Sequence, residues 1–108
     1  MKIFLDDERK PPEGWHLIST PQEAIEWLQT GSVEEISLDH DLGEGPDNGY
    51  QVILWIEEAV ALRQFVPPKI RVHSANPSAR QKMESGIRSI VHHHEENLRK
   101  VPQPGPPS

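Results

Sequence analysis

The stretch EEISLDHDLG, residues 34–43, decides how this chain folds. A short apolar run, ISL (36–38), ends abruptly in Asp39, His40 and Asp41, with Gly43 close behind. Two other runs share that form. KIFL (2–5) runs into Asp6 and Asp7, and KIRVHS (69–74) runs into His73 and Ser74. Three apolar runs that each stop at acids or an imidazole read as buried strands whose ends deliver polar groups to one rim.

The segments between them fit that reading. ERKPPEG (8–14) is a proline-rich turn, and WHLIS (15–19) is a further strand whose central His16 marks a wet edge. TPQEAIEWLQTG (20–31) has Thr20 as N-cap, Pro21 at the first helical position, Glu23 three residues after the cap and Gly31 at the far end, which predicts a helix. Its apolar stripe is Ala24, Ile25 and Leu28. A second helix is predicted over 48–65, where Val52, Ile56, Ala59 and Val60 share a face, and Pro67 and Pro68 end it. A third is predicted over 76–94, capped by Asn76 and striped by Met83, Ile87, Ile90 and Val91. Arg71 inside a strand marks another edge. The order β-β-α-β-α-β-α argues for an α/β fold of about four mainly parallel strands and three helices. Ligands of such sheets sit beyond the carboxyl ends of the strands. The predicted domain spans 1–94, and 95–108, which ends in VPQPGPPS, reads as a proline-rich tail.

Composition narrows the function. The 108 residues suit one domain, and 34% hydrophobic content supports a core when well patterned. Without cysteine there is neither a disulfide framework nor a thiolate metal site. No apolar run is long enough to span a bilayer, and the amino terminus turns charged too soon for a secretory signal, so a cytoplasmic location is expected. A net charge of −6 argues against duplex nucleic acid as a partner.

At its strand ends the chain resembles the receiver domains of response regulators. FLDDE supplies the acidic pair after the first strand, ISLDHDLGEGPDNGYQVI the aspartate after the third and the glycine-containing lead into a helix, and IRVHSA the hydroxyl after the fourth. The resemblance implies a flavodoxin-like three-layer fold, here truncated. It puts Asp39 at the phosphoacceptor position, Asp6 and Asp7 at the metal-binding acids and Ser74 at the hydroxyl position. Two departures stand out. A receiver has a helix where this chain has only ERKPPEG. It also has a fifth strand ending in a lysine, for which the nearest candidate is LRKVP (98–102) with Lys100. The combination of MKIFLDDER, SLDHDLG, GYQVILWIEEAVAL and IRVHSANP, over about residues 1–91, is most similar to the cyclic-phosphate-processing receiver family.

That resemblance implies a small phosphate-bearing substrate, such as a cyclic nucleotide or an RNA-end cyclic phosphate, and a cyclic phosphodiesterase activity. Opening the ring needs one group to take a proton from water and another to protonate the leaving oxygen. His40 and His73 suit that work, with Asp39 or Asp41 to orient an imidazole. Ser74 and the backbone at Asn76 would hold phosphate oxygens, and Arg71 or Arg80 would neutralise charge. Asp6, Asp7, Asp39 and Asp41 form the acidic pocket for Mg²⁺ or Mn²⁺. Two other functions fit the same residues: a non-catalytic receiver that binds a partner protein, and a receiver phosphorylated on Asp39.

Bland readings stand beside these. Alone, Asp6 and Asp7 would be a turn device and His73 a satisfied core histidine. Ser74 reads as a cap or hydrogen-bond partner. His40 follows Asp39 directly, and alternation along a strand puts the two on opposite faces unless the strand has already ended. His92, His93 and His94 point about 100° apart on a helix and read as a solvated end.

Overall fold

A computed structural model describes residues 1–42 and 47–100; Gly43 and the proline-rich end from 101 onward lie outside them. The elements are β1 (Lys2–Leu5), β2 (Trp15–Ile18), α1 (Pro21–Gln29), β3 (Glu35–Leu38), α2 (Tyr50–Arg63), β4 (Lys69–Val72) and α3 (Pro77–Lys100), in the expected order. The strands form one sheet ordered β2-β1-β3-β4, with every neighbouring pair parallel. This is a flavodoxin-like α/β fold without a fifth strand among the described residues. Both expected edges, His16 on β2 and Arg71 on β4, are edges.

The register explains where the core lies. Ile3 pairs with Ile36, and Ile36 with Ile70, while Leu5, Leu38 and Val72 form a second row. Alternation puts both rows on one face. That face packs against Ala24 and Leu28 of α1, Val52, Ile53, Ile56 and Val60 of α2, and Met83 and Ile90 of α3. The opposite face carries Lys2, Phe4, Glu35, Ser37 and Arg71. Its connection from β1 to β2 is the loop 8–14. Four-residue strands span only about 13 Å, so the nine residues 6–14, which include that loop, return the chain without a helix. The layer a full sandwich would build from helices there is reduced to this loop.

The helix ends obey their local signals. Thr20 Oγ1 accepts from the Glu23 N–H, and Gly31 takes φ +76° just past the cap of α1. Asn76 Oδ1 accepts from the Ala79 N–H at 3.2 Å and starts α3. α3 then runs on through Lys100, so 95–100 are helical rather than part of a tail, and Asn97 donates to the Val60 carbonyl at 2.7 Å. Leu98–Lys100 therefore cannot begin a strand. A 24-residue helix puts Lys100 about 35 Å along the axis from Pro77, far from the strand ends. Val91, expected in the apolar stripe, is 48% exposed, because α3 turns Gly86 and Ile90 toward α2 instead.

Candidate functional site

The hydrogen-bond ladders continue one residue past each strand. The Asp39 N–H donates to the Leu5 carbonyl at 3.1 Å, and the His73 N–H to the Leu38 carbonyl at 3.0 Å. Since Leu5, Leu38 and Val72 are in register, Asp6, Asp39 and His73 are the next row, across β1, β3 and β4. Alternation turns this row to the face opposite the core. The patterns KIFLD, EISLD and KIRVH thus each end in one member of a single site at the carboxyl edge of the sheet.

The three side chains offer ligand atoms that all lie within 4.8 Å of one another. Asp6 is almost fully buried, and its Oδ1 accepts from the backbone N–H groups of Glu8 at 2.8 Å and Arg9 at 3.0 Å. Its Oδ2 lies 3.1 Å from His73 Nε2. On the other side of the ring, His73 Nδ1 lies 2.7 Å from Ser37 Oγ. A neutral ring with its proton on Nε2 satisfies both contacts, with Ser37 donating and Asp6 accepting. The imidazole also stacks on Phe4, centroids 4.2 Å apart and planes 6° from parallel.

Electrostatics divide the two acids. Burial works to raise the Asp6 carboxyl, but the N–H groups of Arg9 and Glu8, then His73, outweigh it and hold Asp6 below the usual range. Burial and the adjacent Asp6 charge push Asp39 up, with His73 opposing. Burial lowers His73 despite its bond to Asp6, so the ring is neutral near pH 7.

Arg9 stands at the mouth of the site and donates to the His73 carbonyl at 2.7 Å. With Asp6, Asp39, Asp7, Asp41 and Ala75 it lines a cleft of about 300 Å³, while His73 lines the larger cleft beside it. His40 does not line the acidic cleft. It falls on a bend just past β3, and its Nδ1 lies 2.9 Å from Asp41 Oδ1. Ser74 is buried and accepts from the Asn76 N–H at 3.2 Å, the cap-like role its position foreshadowed. Arg71 is paired with Glu35, and Arg80 with Glu84 at 3.0 Å. Both arginines line the larger cleft on the same sheet face, outside the acidic pocket.

Sequence reasoning passed over Arg9, Ser37 and Phe4. Ser37 and Phe4 carried a readable signal, since each stands two residues before an acid of the row and so shares its face. Arg9 had none, because the loop that folds it back has no periodicity. A Cβ at Gly49 would run into the Asp39 carbonyl oxygen, so only glycine lets the start of α2 approach β3 this closely.

No described helix is long and apolar enough to cross a membrane. No curated protein matches the chain. Among solved structures it is similar to the signal receiver domain of a protein described as a Luxo repressor from Vibrio parahaemolyticus. The identity there is 17%, with 94% of this chain and 98% of that one covered and a TM-score of 0.41. A family model described as the cyclic-phosphate processing receiver domain matches residues 1–89. That match spans most of the sequence and the whole sheet with its site row, and the chain belongs to the cyclic-phosphate processing receiver domain family.

Proposed function

We propose that this receiver domain binds a cyclic phosphodiester at the row of Asp6, Asp39 and His73 and opens it by hydrolysis. The observation that carries the reading is the convergence of two carboxylates and a neutral imidazole at the carboxyl edge of the sheet. The family's description supports the substrate class.

The donor set fits a divalent cation. Asp6 Oδ2 and an Asp39 oxygen are the atoms that would hold it, with His73 Nε2 beside them left free to move protons, and the repulsion between the two acids, which helps raise the Asp39 carboxyl, is what a cation relieves. Carboxylate oxygens suit Mg²⁺ or Mn²⁺. When bound, such an ion polarises a phosphoryl oxygen and acidifies water.

The chain's own residues supply the rest. Asp6 is held rigid by two backbone N–H groups and offers Oδ2 alone. Arg9, half exposed and 3.9 Å from Asp6 Oδ2, would meet the phosphate anion at the mouth. The Ser37 hydroxyl both donates and accepts, so the His73 proton can sit on Nδ1, leaving Nε2 to take a proton from water and return it to the leaving oxygen. Water adds to phosphorus, one P–O ester bond breaks, and the product is a phosphomonoester with a free hydroxyl. One histidine carries this cycle, rather than the pair His40 and His73.

The test is a panel of 2′,3′- and 3′,5′-cyclic nucleotides and RNA 2′,3′-cyclic ends, with Mg²⁺, Mn²⁺ or EDTA, products read by mass spectrometry. Turnover that disappears in Asp39→Asn supports the proposal; a folded protein inert in every lane overturns it. The position of Asp39 beside Asp6 also suits a phosphoacceptor in a signalling receiver. That reading predicts a phosphoryl mass gain with a small phosphodonor, lost in Asp39→Asn.

A further inference from the structure

The face that carries the site row also carries a second, larger cleft of about 710 Å³, within the size range of small-molecule sites. It runs down the sheet from His73 past Phe4, Ser37 and Arg71 to Trp15 and Lys2. It exists because loop 8–14 covers this face only in part, and because α3 leans past β4 to form the far wall with Arg80 and Ile87. His73 lines this cleft and links it to the acidic pocket: its Nε2 faces Asp6, which lines that pocket, and its Nδ1 is held by Ser37.

We infer that this cleft is the nucleoside subsite of the same ligand: it takes the base and ribose of a nucleotide whose cyclic phosphate lies at the Asp6, Asp39 and His73 row. The inference rests on the proposed function and adds to it that the substrate carries a nucleobase. Three observations carry it. Phe4 is one side-chain repeat, about 7 Å, below Asp6 on the same face, and Lys2, in register with Trp15, is two repeats below, about 13 Å. The cleft therefore adjoins the phosphate position, with His73 between them. Its aromatic content is concentrated: Phe4 meets Trp15 edge to face at 6.3 Å and stacks on His73, and the indole offers a planar base a stacking surface once the Lys2 ammonium over it swings aside. Its charge is balanced by cations in an acidic chain, with Lys2 over the Trp15 ring at 5.7 Å and Arg71 against Glu35, so it supplies donors and acceptors for a base edge. Stacking on an aromatic side chain tolerates any base, and this subsite selects for a base over none, not for one base over another.

The test measures binding to the full chain by the indole N–H resonances of its three Trp residues. The ligands are adenosine 2′,3′-cyclic phosphate, ribose 2′,3′-cyclic phosphate and a short RNA ending in a 2′,3′-cyclic phosphate. The base-bearing nucleotide binds roughly tenfold or more tighter than the sugar phosphate and shifts the Trp15 resonance. Trp15→Ala removes that advantage and leaves the sugar phosphate's affinity unchanged, while Trp15→Phe, which keeps a ring and the packing on Phe4, retains most of it. Comparable binding of the RNA end identifies a terminal nucleotide as the occupant, and weaker binding identifies a free mononucleotide. Equal affinity with and without the base, or an unmoved Trp15 resonance in the wild type, overturns the subsite. Base-dependent binding without turnover keeps the subsite and sinks the hydrolysis. Equal turnover of the sugar phosphate does the reverse.

Discussion

His73 Nε2 stands 3.1 Å from Asp6 Oδ2, though the two residues are 67 positions apart in the chain. The contact is a product of register: each residue is the first past its strand, and the parallel ladder through β3 aligns them. It joins a histidine that burial keeps neutral to a carboxylate that backbone donors keep charged.

Acidification should therefore destabilise the fold in two stages. His73 has a folded pKa below its ordinary 6.5, so its contribution is complete above 6.5 and is lost as pH falls through the folded value. Asp6, lowered from 3.8, adds a second loss below 3.8. Asp39 acts with the opposite sign. Thermal unfolding against pH should show the first stage in the wild type and not in His73→Gln.

Asp39→Asn should stabilise the protein at pH 7, because it removes a buried charge held beside Asp6. The raised carboxyl is neutral in both states below 3.8, so the gain should fade as pH falls towards that value. A melting temperature that drops at pH 7 would show that Asp39 makes a net stabilising contact instead.

Gly49→Ala should cost about 1–3 kcal/mol by overpacking, since its methyl group would collide with the Asp39 carbonyl. Gly31→Ala is the informative comparison. There a methyl meets open space and only the φ of +76° is strained, so the cost is about 1 kcal/mol. Urea unfolding separates the two. Gly49→Ala should also weaken cation binding although it removes no ligand.

These predictions rest on features of unequal legibility. The element order was readable because each run carried its own punctuation: Thr20 and Pro21 before α1, Asn76 and Pro77 before α3, and an acid or imidazole after each of three strands. Asp6, Asp39 and His73 were readable as rim residues for the same reason. Their membership of one row was not, because register is set by pairing between strands and leaves no mark within any one of them. The end of α3 was missed since the prolines beyond 101 pulled the expected boundary back, while Asn97, which ties the last turns to α2, reads as a neutral surface residue. His40 was a candidate by proximity in sequence. That its ring pairs with Asp41 and does not line the acidic cleft is a tertiary fact.

Mn²⁺ should raise the melting temperature of the wild type in proportion to the logarithm of its concentration above the dissociation constant. Asp6→Asn and Asp39→Asn should each abolish most of that rise, and Asp41→Asn should leave most of it. An equal effect in all three would indicate diffuse binding to the acidic surface.

The most direct test of the account compares initial rates of cyclic-nucleotide hydrolysis in the wild type, His73→Ala, Asp39→Asn and His40→Ala, each shown to be folded. The account predicts a loss of about 100-fold or more in the first two variants, the usual scale for removing a general acid–base group, and a rate near wild type in His40→Ala. Loss of turnover in His40→Ala with His73→Ala still active would contradict it, and would move the chemistry from the row of Asp6, Asp39 and His73 to the loop that follows β3.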